Sequence, residues 1–216
     1  MSAAPASPGR WRRFTADVRA DHLVVRHYEE RYGHHAGSSG VLLLDAVTKI
    51  GLQELIAVRW MRLLRDLRVP LGAKITSRLV RHLYGSDIHW DAELAPGVLL
   101  VHGFGLAISH AARVGPGCIL FQNVCLGMGI DPVSRQSGAP TLEANVHVGP
   151  GATLLGPITV GEGSKVMAGV TLTTSVPPRS LVEASVPVVR SRPAAGATVG
   201  AESPGPGAPA GGDGAR

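Results

Sequence analysis

His102 stands in the string VHGFG with Gly103 and Gly105 beside it, and Asp87 lies fifteen residues upstream in SDIH. An imidazole that is neutral near pH 7 takes a proton from a hydroxyl, and a carboxylate on its other ring nitrogen fixes the tautomer and stabilises the imidazolium that forms. The glycines give access to the backbone at that point. Read this way, the pair is a general base and the group that orients it, and no covalent intermediate on the protein is needed. His89, in the same string as Asp87, reads as structural, and His110 and His147 read as solvated turn or wall residues.

These two side chains are positioned by a period of six. Aliphatic residues fall at Ile88, Leu94 and Leu100, then at Ile108, Val114, Leu120 and Leu126, then at Leu142, Val148, Leu154, Val160, Val166 and Leu172. A six-residue unit cannot bury its own aliphatic, so successive coils must stack to do it. With three hexads to a coil, Asp87 precedes the first face and His102 lies past the start of the third, which brings both toward one corner on coils about 4.8 Å apart. The phase breaks twice. Two extra residues enter between Leu100 and Ile108, and about ten between Leu126 and Leu142 must leave the coil as a loop, an element that on a rigid scaffold tends to carry function.

Ahead of the repeat the spacing changes to that of helices. FTADVRADHLVVRHYEERY, GLQELIAVRWMRLLRDL and AKITSRLVRHLY each carry apolar residues at helical intervals, with GHHAGSSG as a linker after the first. The fold class expected is mainly β with an α-helical N-terminal part. Its divisions are a helical region over 1–86, a repeat domain over 87–190 with a loop at 127–141, and a disordered Pro, Gly and Ala-rich tail over 191–216.

Composition bounds the function. Aromatics are 4% against 28 Gly and 16 Pro, a balance that favours small side chains stacked between turns. No signal-peptide pattern and no apolar run of membrane length is present, so a cytosolic chain with no membrane partner is expected. Cys118 and Cys125 read as core or wall residues rather than a disulfide. The net charge is +5, and Arg59, Arg62, Arg65, Arg68, Arg78 and Arg81 read as a solvated helix face, since no nucleic-acid motif accompanies them.

The ordered stretch DIHWDAEL, VHGFGLAIS, ILFQNVCLG and GAPTLEANVHVGPGATLLGPITVGEGSKVMAGVTL resembles the serine acetyltransferase family of hexapeptide-repeat enzymes, including relatives that acetylate polysaccharides. The resemblance covers about residues 50 to 190. It implies a left-handed parallel β-helix, an exception to the right-handed crossover rule, assembled as a homotrimer with sites between subunits, hexamer left open. It implies an acyltransferase whose co-substrate is acetyl-CoA, with no metal, and it aligns His102 with the family's catalytic His and Asp87 with the carboxylate that orients it. Donor binding carries over to Pro150, Ala168 and Gly169 in the groove between coils, with Lys165 and Arg190 as partners for CoA phosphates.

The acceptor groups depart from that family. Val101 stands where the family has Asp before the catalytic His, Gly138 and Ala139 stand where it has an Arg-His pair, and the helical Asp-Pro pair is missing. Arg135, three residues from the lost Arg, is the candidate substrate-binding replacement. The expectation is therefore an O-acetyltransferase acting on a small hydroxylated metabolite, an amino-acid derivative or a sugar. The alternatives are a true serine O-acetyltransferase, a non-catalytic trimeric scaffold, and a three-His zinc enzyme of the carbonic anhydrase kind, for which His102, His110 and His147 lack the ligand spacing.

Overall fold

A computed structural model describes residues 9–32, 40–131 and 133–185. The chain divides into two units, residues 1–184 and 185–216, and all that follows concerns the first. The division of the tail at 191 lies outside the described residues.

Four helices come first: α1 (Arg10–Tyr32), α2 (Leu42–Thr48), α3 (Ile50–Asp66) and α4 (Pro70–Tyr84). In α1 the buried positions are Asp17, Val18, Asp21, His22 and Val25, one face of a 3.6-residue period. α4 opens on Pro70, whose fixed φ suits a first turn, and closes at Gly85 in the left-handed region with φ 66°. That stop leaves one residue, Ser86, before the repeat begins. No helix among the described residues is long and apolar enough to cross a membrane.

Short strands then follow in a fixed rotation: β1 (Asp87–Ile88), β2 (Glu93–Leu94), β3 (Leu99–Leu100), β4 (Ala107–Ile108), β5 (Arg113–Val114), β6 (Ile119–Leu120) and β7 (Cys125–Gly127). After a two-stranded excursion, β8 (Gly129–Ile130) and β9 (Ser137–Gly138), the rotation resumes. Its remaining strands are β10 (Thr141–Leu142), β11 (His147–Val148), β12 (Thr153–Leu155), β13 (Thr159–Val160), β14 (Lys165–Val166), β15 (Thr171–Leu172) and β16 (Leu181–Val182). With β8 and β9 set aside, each parallel sheet takes one strand from successive turns of the coil. The first face is β1-β4-β7-β12-β15, the second β2-β5-β10-β13 and the third β3-β6-β11-β14-β16. The chain is a three-faced coil of parallel sheets with helices in front.

All thirteen hexad aliphatics point inward, none more than 6% exposed. Register accounts for both phase breaks. Ile108 pairs with Leu126, eighteen residues on, whereas Ile88 pairs with Ile108, twenty on, so two residues bulge at the edge that carries His102. Leu142 pairs with Val114 across the larger break, and the surplus forms the antiparallel β8/β9 hairpin.

The helices seat on the third face. Leu52 and Val25 pack with Leu99 and Ile119 in a cluster separate from the coil interior. Polar contacts fix the angle. Arg59 is 2% exposed and pairs with Asp21 of α1 through Nε (2.8 Å) and Nη2 (3.0 Å), while donating to the carbonyls of Leu94 and Ala95 at 2.5 and 2.8 Å. Asp21 also accepts from the Gly97 amide at 2.9 Å. The solvated-face reading of the arginines is thus wrong for Arg59, because the charge-bearing face of α3 is also the face that meets the coil. Arg65 likewise donates to the Trp90 carbonyl and to Asp91, at 3.0 and 2.7 Å.

Candidate active site

The edge between the third and first faces carries the candidate residues. Its turns stack through backbone hydrogen bonds, Asn123 N–H to the Phe104 carbonyl (2.8 Å), Gly151 N–H to Gln122 (3.0 Å) and Gly169 N–H to Pro150 (2.9 Å). His102, two residues before Phe104, therefore lies on the same edge as Pro150, Ala168 and Gly169, separated from the last two by three coils, roughly 14 Å at strand spacing. A Cβ placed on Gly149 falls 2.7 Å from the Ala168 amide nitrogen, so only glycine permits the close approach of coils there. At Gly169, with φ 69°, the same test meets nothing, and the edge is open.

His102 is exposed and adopts φ 69°, a left-handed conformation that costs a non-glycine residue on the order of 1 kcal/mol. The surroundings impose it. A Cβ on Gly51, at the start of α3, would sit 1.9 Å from the Leu100 carbonyl oxygen, and one on Gly103 would sit 3.0 Å from Gly51 Cα. Helix α3 is thus pressed onto the strand that precedes His102, and the chain has to turn sharply outward. Asp87 flanks the same edge, its amide bonded to the Leu106 carbonyl at 2.6 Å. Its carboxylate, however, pairs with Arg81 of α4, and no hydrogen bond joins it to His102 among the described residues. Hexad counting brings Asp87 and His102 to one corner where they could touch; among the described residues the Asp87 carboxylate pairs with Arg81 in the last turn of α4 instead.

Beneath this loop lies Glu54, fully buried, with the Ser86 hydroxyl nearby but no well-formed hydrogen bond to either carboxylate oxygen among the described residues. Burial pushes its carboxyl up to about 7, with the Ser86 hydroxyl pulling the other way. Beside the loop is a cavity of about 440 Å³ between α1, the α2–α3 junction and the third face, lined in part by Tyr28, Glu29, Lys49, Val101, His102 and Phe104. Lys49 Nζ lies 2.6 Å from Glu29 Oε1. The sequence reading missed Glu29, Lys49 and Glu54. For Glu54 a signal existed, a carboxylate three residues after Gly51 on the apolar face of an amphipathic helix.

The other candidates scatter. Arg135, at φ 58°, is exposed in the turn of the β8/β9 hairpin and does not line the cavity. Lys165 is exposed on the third face beside His147, whose imidazole is shifted down by burial first and by Lys165 second. Arg190 lies outside the described residues. His89 accepts from the Asp91 amide at Nδ1 (3.0 Å), a structural bond, and burial lowers its pKa. Cys118 is buried and donates to the Glu143 carbonyl, and burial pushes its thiol up to about 11, which makes it inert. No group of three or more metal-ligating side chains occurs among the described residues.

This architecture, a stacked coil with a helical front, is shared with known transferases. One solved neighbour, a serine acetyltransferase of Brucella abortus in complex with coenzyme A, has a TM-score of 0.67 at 27% identity over 81% of this chain and 66% of its own. Serine acetyltransferases are also the proteins the sequence is similar to. That of Synechococcus elongatus is 39% identical over 129 residues, 59% of this chain and 51% of that protein, and that of Bacillus subtilis is 33% identical over 138 residues, 63% and 62%. The chain spans about half the length of the first of these relatives. No family model matches it.

These relatives correct the acceptor expectation. Val101, Gly138 and Ala139 suggest an amino-acid derivative or a sugar, but the similar proteins are named for serine, and the serine alternative is the better supported. Inference from missing groups fails where another element can supply them, and the cavity beside His102 is walled by helices as well as by the coil.

Proposed function

We propose that the chain is a serine O-acetyltransferase using acetyl-CoA as co-substrate, built on a left-handed parallel β-helix and active as a homotrimer. The observation that carries the reading is the stacked edge, which sets His102 and the open turn at Ala168 and Gly169 along one line. The pantetheine arm lies along that edge against Pro150, Ala168 and Gly169, with Lys165 near a phosphate. Its thioester then reaches His102. The imidazole takes the proton from the serine hydroxyl as the oxygen attacks the thioester carbonyl carbon, the C–S bond breaks, and the proton passes to the departing CoA thiolate. Asp87 orients the imidazole once its side chain leaves Arg81.

In a trimer the hairpin of one subunit can reach the edge of the next, the route by which Arg135 would approach the acceptor. Use of acetyl-CoA is consistent with a cytosolic enzyme. The test is the initial rate of CoA thiol release from acetyl-CoA with L-serine. His102→Ala is expected to lower kcat by about 100-fold to 10,000-fold, the worth of a general base, with the KM for acetyl-CoA unchanged. Serine-independent or His102-independent thiol release would refute the assignment.

A further inference from the structure

The groups that hold the two charged ends of an amino acid must come from somewhere, and three coil positions beside the site do not offer them. Val101, Gly138 and Ala139 bear no charge. The cavity shared with His102 is mostly apolar, yet it contains a lysine and a glutamate side by side. Lys49 Nζ and Glu29 Oε1 are 2.6 Å apart and largely shielded from water, at 24% and 13% side-chain exposure. Glu29 Oε2 is buried without a hydrogen-bond partner among the described residues. A buried carboxylate oxygen with an unmade bond is an acceptor that a ligand donor would satisfy.

We infer that Glu29 and Lys49 form the amino-acid clamp of this enzyme, Glu29 taking the ammonium of the acceptor and Lys49 its carboxylate, so that the hydroxyl faces His102. The chemistry is complementary in sign and in spacing. An α-amino acid presents its opposite charges one carbon apart, and the adjacent cation and anion in the wall bind them as a crossed pair through charge-assisted hydrogen bonds. The lining beside the pair is largely apolar, which strengthens both contacts relative to open water. The two residues come from α1 and from Lys49, which joins α2 to α3, so the helical front is a part of the site rather than only a support for the coil. The clamp rests on serine as the acceptor, and it adds which residues recognise it.

A structural ion pair and a clamp differ in what they do to KM. Steady-state rates with L-serine are compared for the wild type, Glu29→Gln and Lys49→Met, with ethanolamine and 3-hydroxypropionate as acceptors that keep the hydroxyl but lack the carboxylate or the ammonium. Each variant is expected to raise the serine KM at least about tenfold, the loss of one charge-assisted bond, with the acetyl-CoA KM unchanged. Lys49→Met should also erase the wild-type preference for serine over ethanolamine, and Glu29→Gln that over 3-hydroxypropionate. Should either neutral variant fold poorly, Lys49→Arg and Glu29→Asp keep the charges and are expected to retain part of the serine affinity.

An active wild type whose serine KM is untouched by both neutral variants overturns the clamp and leaves the serine reading standing. Conversely, if serine is not turned over but calorimetry shows L-serine binding that both variants weaken, the clamp stands and the catalytic reading falls. Absence of any L-serine binding to the wild type overturns the clamp.

Discussion

Glu54 is the side chain whose ionisation the fold has to resist. Its carboxyl keeps a proton up to about pH 7 when folded, against 4.5 in an unfolded chain, so between those values the folded state binds the extra proton. The stability tied to this proton is fully present below pH 4.5 and is lost as pH rises through 7, about 3 kcal/mol in all. Glu54→Gln should remove that slope, and denaturant unfolding of wild type and variant from pH 5 to pH 8 measures it. A variant with the same pH slope as wild type would show that the burden lies on another group. A Cβ on Gly103 would meet Glu54 Oε2 at 2.7 Å, so the turn next to His102 closes over this carboxyl only because residue 103 is glycine. Of these residues only His102 and Asp87 were legible in the sequence, since hexad counting places them at a common edge. Glu54 left a local signal, a carboxylate on the apolar face of α3, but the positions of Glu29 and Lys49 depend on which helix face the coil covers, and no local pattern encodes that.

At the level of elements, the period of six was legible because each coil can bury its aliphatics only by repeating, and α1, α3 and α4 were legible from their apolar spacing. Helix α2 was not. It spans only Leu42–Thr48 and its N-cap position, Val41, makes no side-chain capping bond. Such a helix is made by its neighbours, here partly by the 2.7 Å contact between His22 of α1 and Asp45. The joint between helices and coil rests on Arg59. Removing one partner of a buried pair leaves the other charge uncompensated, so Arg59→Leu is expected to cost about 3–5 kcal/mol in urea unfolding. Adding Asp21→Asn should recover part of that loss. A fully additive double variant would show that the two side chains do not act together.

Across the described residues, the proposed donor and acceptor sites lie toward opposite ends of one edge. The cavity beside His102 belongs to the first coils and the helices, while Ala168 and Gly169 lie three coils away. Ala168 is exposed and contributes little to the core. Ala168→Trp should therefore block the edge, abolishing the rise in thermal midpoint caused by CoA, while the midpoint without CoA stays unchanged and serine binding is retained. Saturation of wild type at 100 times Kd would supply about 2.7 kcal/mol for comparison. An unchanged CoA shift in the variant would move the donor to a different edge.

The stacked edge has one more consequence. Because each turn bonds only to the turns before and after it, the separation of His102 from Gly169 is a whole number of rungs, each about 4.8 Å. The coil is thus a ruler. Inserting or deleting eighteen residues, the span from Thr141 to Thr159, would change that distance by one rung while leaving His102 and the turn at Gly169 as they are.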